Sequence, residues 1–131
     1  MYERILVLTD GSEYSQRAGR QAVDLAEKLN ATVVVTHIID QRQPKSFDIL
    51  EDKGKEYINE IRDYANEKEV KSEDLLIYGS PKNDVMIISR KSEADLIVMG
   101  TLGATGLKSV VLGSFAQFVL KKIDLPILLI K

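Results

Sequence analysis

Short apolar runs rich in branched residues alternate along the chain with longer stretches in which apolar residues recur every three or four positions, so strands and helices are expected to take turns. Arg4 to Leu8 is the first run, and Thr9-Asp10-Gly11-Ser12 closes it as a turn followed by a helix cap. Ala18, Ala22, Leu25, Ala26 and Leu29 then share one helical face, and Asn30 suits the helix end. Thr32 to Ile39, nearly continuous in Val and Ile, is the second strand, and the polar segment Gln41 to Ser46 with its proline is a loop. From Leu50, the positions Gly54, Tyr57, Ile58, Ile61, Tyr64 and Ala65 predict a long amphipathic helix to Glu69. Leu75 to Gly79 is a short third strand. Ser80-Pro81 places a capping side chain before a proline at the first helical position, which predicts a helix from Pro81 to Lys91.

The run Asp95 to Met99 reads as a fourth, buried strand. Ala116, Val119, Leu120 and Ile123 then form the inner face of a last helix, with Lys121 and Lys122 near its negative end. Asp124 to Pro126 breaks that helix, and Ile127 to Ile130 is a fifth strand. Unbroken apolar strands alternating with helices imply an α/β fold with a doubly wound parallel sheet. No internal repeat or low-complexity segment interrupts the pattern.

Between the fourth strand and the last helix lies Gly100-Thr101-Leu102-Gly103, followed after nine residues by Gly113-Ser114. Glycine lets backbone N–H groups approach an anion with no Cβ in the way, and a helix starting near Ser114 aims its unpaired N–H groups and positive dipole end at the same place. A phosphate is bound well there. The alternative is a turn rich in glycine for backbone reasons alone. Asp10 has two readings as well: it can accept from a ribose hydroxyl or hold Mg²⁺ beside phosphate, or it can cap the following helix or make an Asx turn with Ser12.

Composition removes several other chemistries. At 131 residues, 44% apolar and 29% charged, the chain fits one domain that buries roughly two-thirds of its unfolded surface. No cysteine means no disulfide and no thiolate nucleophile, and a net charge of −2 gives no basic field for nucleic acid or an anionic membrane. There is no apolar run of membrane-spanning length and no signal-peptide layout, so the cytosol is the expected compartment. His37, the single histidine, is expected to be a hydrogen-bonded structural residue on its apolar strand. The P-loop pattern is absent, no water-activating residue is evident, and Ser12, Glu13 and Ser15 read as helix-cap residues rather than nucleophiles. Tyr57 and Tyr64, seven apart, read as a packing stripe.

The glycine pattern, together with Tyr2-Glu-Arg-Ile-Leu-Val-Leu-Thr-Asp10-Gly-Ser12, His37-Ile38-Ile39-Asp40 and Leu125-Pro-Ile-Leu-Leu-Ile130, resembles the universal stress protein family in its ATP-binding branch, in order and spacing over the whole chain. The resemblance implies a single domain over residues 1–131: a five-stranded parallel sheet of order 3-2-1-4-5 with helices on both faces, Rossmann-like and similar to the adenine nucleotide alpha hydrolases. Ligands then bind where the strand order reverses, between the first and fourth strands. It further implies ATP, ADP or AMP with Mg²⁺ as ligand. Thr9 and Ile38 would edge the adenine and ribose pocket, Met99 would be its apolar wall, and Asp10 would face the nucleotide and the metal. Gly100, Gly103, Gly113 and Ser114, with Phe115 beside them, would cradle the phosphates.

The chain departs from that family pattern at Leu102 and Ala104, where many ATP-binding members carry polar or basic residues; Thr101, Thr105 and Lys108 are the polar groups that remain. The resemblance also implies a homodimer through Ile127 to Ile130, a flat apolar strand guarded by Lys131 alone. A nucleotide-responsive regulatory or stress-response factor is the reading this supports. The alternatives are a homodimeric interaction protein of the same fold without nucleotide, and a slow ATPase.

Overall fold

The computed structural model describes residues 1–102 and 112–131. Strands and helices alternate as β1 (Arg4–Leu8), α1 (Glu13–Leu29), β2 (Thr32–Asp40), α2 (Phe47–Glu67), β3 (Ser72–Gly79), α3 (Pro81–Lys91), β4 (Leu96–Gly100), α4 (Ser114–Lys122) and β5 (Ile127–Ile130). All five strands run parallel in the order β3-β2-β1-β4-β5. The order reverses between β1 and β4, as expected.

Because strand side chains alternate in direction, the same apolar runs fill two cores. Ile5, Val7, Val33, Val35, Leu96 and Val98 pack under α1 and α2, meeting Ala18, Ala22, Val23, Ile58 and Ile61. Leu6, Leu8, Val34, Ile38, Ile97 and Met99 face the other way, onto Val85 and Ile88 of α3 and Ala116 and Val119 of α4. Each fully buried Val, Leu or Ile contributes roughly 1.5–3 kcal/mol, so both layers are needed to hold the sheet. Asn30 ends α1 in the left-handed region at φ 55°, as its position suggested.

Several expectations need correction. Leu29 and Leu120, assigned to inner faces, are 40% and 45% exposed. Leu29 is the last residue of α1, where the chain turns at Asn30, and on α4 the residues Ala116, Val119 and Ile123 already complete the inward stripe. Helix α2 begins at Phe47 rather than Leu50, with the Phe47 ring stacked on Tyr78 at 4.6 Å, and it ends at Glu67. Strand β3 begins at Ser72, because Glu73 and Asp74 join it through ion pairs to Arg4 and Arg62 rather than through apolar burial. Strand β4 begins at Leu96; the Asp95 carboxylate instead accepts from the N–H groups of Glu3 (2.8 Å) and Arg4 (3.1 Å). Ser80 makes no side-chain cap; Asp84 Oδ2 accepts from the Ser80 N–H at 2.8 Å. Among the described residues no helix is long and apolar enough to cross a membrane.

Candidate functional site

The turn after β1 is held from within. Ser12 caps α1, its Oγ accepting from the Ser15 N–H at 3.2 Å, and Asp10 Oδ1 accepts from the Ser12 N–H (2.9 Å) and the Ser15 hydroxyl (3.0 Å). Asp10 therefore makes the Asx turn with Ser12, while the helix cap falls to Ser12 itself, and Asp10 also borders the crevice described below. The Thr9 hydroxyl donates to Gln16 Oε1 at 2.5 Å, lies 2.9 Å from Ser15 Oγ and accepts from the Gly11 N–H at 3.1 Å. Gly11 sits at φ 84°, with the Tyr57 ring where a Cβ would be, so both backbone and space require glycine. His37 completes the turn, its Nδ1–H donating to the Thr9 carbonyl at 2.7 Å with the Tyr57 ring edge-on at 5.3 Å. Burial pushes the imidazole pKa below its ordinary value, against the weaker opposing pull of that carbonyl bond and of Asp10. The structural role expected for His37 holds.

The turn after β4 is built differently. Gly100 lies where a Cβ would meet the carbonyl carbon and Cβ of Tyr14 at 3.0 Å and the Ser15 nitrogen at 3.1 Å, so glycine allows β4 to end against the first turn of α1. The Thr101 N–H donates to the Ile130 carbonyl (2.9 Å), and the Gly113 N–H donates to the Thr101 carbonyl (2.7 Å). That second bond brings the start of α4 back beside Gly100. Gly113 is the N-cap of α4 and supplies no side chain for the first N–H groups of the helix, which have no acceptor within it.

Between these two turns opens a crevice of about 560 Å³. Thr9, Asp10, Ile38 and Met99 line it, as do Gly100, Gly113, Ser114 and Phe115. The strand order thus brings together segments ninety residues apart in sequence. Leu8, Ile38, Met99 and Ala116 supply apolar wall, and the uncapped end of α4 supplies donors. Thr9 borders the space, but its hydroxyl is committed to α1. Gly103 lies outside the described residues, as do Ala104, Thr105 and Lys108.

Sequence reasoning missed one flank. Ser80, Pro81, Lys82 and Asn83 line the crevice from the start of α3, a strand-to-helix junction equivalent to the other two and so accessible to the same rule. Arg42 lines it from the loop after β2, and nothing in its sequence context marked it. Its Nε and Nη2 donate to Asp40 Oδ1 (3.0 Å) and Oδ2 (2.8 Å), a fork that holds the Asp40 carboxyl below the usual range. Thr36, also missed, did carry a signal: it is a hydroxyl inside Val33-Val34-Val35-Thr36-His37-Ile38.

Among the described residues no three His, Cys, Asp or Glu side chains gather into a metal site. Asp10 stands at the crevice as one carboxylate, which fits a Mg²⁺ carried mainly by phosphate oxygens and water, not one caged by protein.

A family model described as "Universal stress protein family" matches residues 1–131. A universal stress protein of Methanocaldococcus jannaschii is 32% identical over 141 residues, spanning 100% of this chain and 83% of the relative. A second from that organism is 30% identical over 155 residues, and its solved structure has a TM-score of 0.89 at 29% identity over 100% of this chain and 96% of the other. The universal stress protein of Archaeoglobus fulgidus, solved in complex with dAMP, has a TM-score of 0.75 at 25% identity over 99% and 98% of the two chains.

Proposed function

The chain belongs to the universal stress protein family, and on that premise we propose that it is a nucleotide-responsive regulatory protein that holds ATP, ADP or AMP in the crevice between β1 and β4. The carrying observation is the pairing, by the 2.7 Å Gly113 to Thr101 bond, of the Gly100 turn with an N-terminus of α4 that has no side-chain cap. With the Gly113 N–H held by Thr101, phosphate oxygens accept from the N–H groups at Ser114 and Phe115 and from the Ser114 hydroxyl, with the helix dipole adding to the attraction. The base lies against Ile38 and Met99, and Asp10 meets the ribose or a Mg²⁺ brought by the phosphates. Its similarity to a relative solved with dAMP supports the adenine nucleotide class. Occupancy ties the start of α4 to β1 and β4, and partner affinity follows from it.

Strand β5 pairs with β4 on one side, and Leu128 is 40% exposed, which supports a homodimer formed through Ile127–Ile130. A monomeric mass in light scattering at micromolar concentration overturns that assembly.

Thermal unfolding of nucleotide-free protein with and without millimolar Mg-ATP tests the binding. Saturation at a hundred times Kd stabilises by about 2.7 kcal/mol. The expected result is a clear upward shift, larger with ATP than with GTP; no shift leaves a homodimeric interaction protein of the same fold.

A further inference from the structure

Strand β2 turns Val33, Val35 and His37 towards α1 and α2, and Val34, Thr36 and Ile38 towards α3 and α4. Thr36 is 1% exposed, yet it lines the crevice. Its backbone carbonyl accepts from the Thr9 N–H at 2.9 Å, while its side chain stands in register with Leu8 on β1 and Leu75 on β3. Neither neighbour offers a polar side-chain atom. The Thr36 Oγ1 is one of two buried side-chain polar atoms without a hydrogen-bond partner among the described residues. The other, the Tyr78 hydroxyl, belongs to a residue stacked under Phe47 of α2, away from the crevice.

A buried hydroxyl without a partner destabilises a protein, and valine has the same shape without that penalty. Three valines precede Thr36 on the strand, so a fourth would continue the apolar floor. We propose that Thr36 is a base-reading residue of this crevice, its hydroxyl hydrogen-bonding the edge of the nucleobase of a bound nucleotide. The inference rests on the nucleotide reading above and goes beyond it by assigning direction to an otherwise apolar floor. With phosphate held at Ser114 and Phe115, the base extends over Leu8, Ile38 and Met99 towards β2. A hydroxyl both donates and accepts, so a ring nitrogen or an exocyclic amine satisfies it equally.

Calorimetric titration of wild type, Thr36→Val and Thr36→Ser with AMP and with ribose 5-phosphate tests this, together with the unfolding temperature of each ligand-free protein. Thr36→Val should weaken AMP about tenfold, equivalent to about 1.4 kcal/mol, leave ribose 5-phosphate unchanged, and unfold at the wild-type temperature or above it. Thr36→Ser should keep AMP within about twofold of wild type, well short of the tenfold loss. The opposite signs matter, because a purely structural threonine would lose stability and both ligands together. Wild-type AMP affinity in Thr36→Val overturns the base-reading role alone, as does equal loss of both ligands. A wild-type protein that binds neither ligand overturns the nucleotide reading and this role with it.

Discussion

Two strand-to-helix junctions flank the same crevice, and they are finished in opposite ways. At β1–α1, Ser12 caps the helix, Asp10 closes the turn, and the hydroxyls of Thr9 and Ser15 are taken up within it. At β4–α4 the cap is Gly113, which closes the chain onto Thr101 but leaves the first turn of α4 without a side-chain acceptor. Both stand beyond the carboxyl ends of parallel strands, where the fold makes anion binding available. Topology therefore offers two receptors, and on the proposed nucleotide reading the cap side chain decides which is used. The closed junction is scaffold for the open one: Gly100 ends β4 directly against Tyr14 and Ser15, so a rigid first turn of α1 fixes where the open junction sits.

The sharpest way to break this contrast is to give α4 a side-chain cap, as α1 has in Ser12. Gly113 has φ −66° and ψ 160°, a backbone that Gly113→Asp adopts without strain. Its carboxylate would accept from the first N–H groups of α4 and favour the helix dipole, so unfolding stability should rise by about 0.5 kcal/mol. AMP affinity should fall by about 2 kcal/mol, roughly thirtyfold, since one charge-assisted hydrogen bond is displaced and an anion is placed where phosphate belongs. A folded variant with unchanged AMP affinity removes the phosphate site from α4. The reverse change, Ser12→Ala, opens the closed junction: stability should fall by about 1 kcal/mol, as read from the denaturant midpoint, with AMP affinity within about twofold.

This contrast also marks how far the sequence was legible. Apolar runs such as Leu96–Met99 named their strands because both faces are buried, and the glycines marked the turn after β4, where Gly100 lets the strand end against Tyr14. Ile38, Met99 and Phe115 were placed at the crevice by family resemblance, since each alone is ordinary core. The start of β3 was illegible for a physical reason: Glu73 and Asp74 are held by arginines distant in sequence, and apolar periodicity carries no such information. Arg42 was hidden likewise, its position depending on a fork to Asp40 two residues away and on where β2 ends. Leu29 and Leu120 matched the helical period but lie at the margins of their faces, where a shift of one position decides exposure.

His37 is the strut of the closed junction whose side-chain type titrates nearest neutral pH, so falling pH should loosen it first. Burial holds its folded pKa below the unfolded value near 6.5, so the unfolded chain takes up the proton more readily. The stability that His37 contributes is therefore fully present above about pH 6.5 and is lost as pH falls below it towards the folded pKa, with a slope of at most about 1.4 kcal/mol per pH unit for one proton. His37 is the single histidine of the chain, and carboxylates such as Asp40, held low by Arg42, titrate further down. Denaturant unfolding of wild type between about pH 7 and pH 5.5, the range spanning an ordinary imidazole, should show that slope. His37→Asn keeps an N–H donor for the Thr9 carbonyl but has no proton to gain, so its stability should be flat over the same range. A slope of equal size in the asparagine variant would assign the loss to another group and leave the β1–α1 junction indifferent to pH.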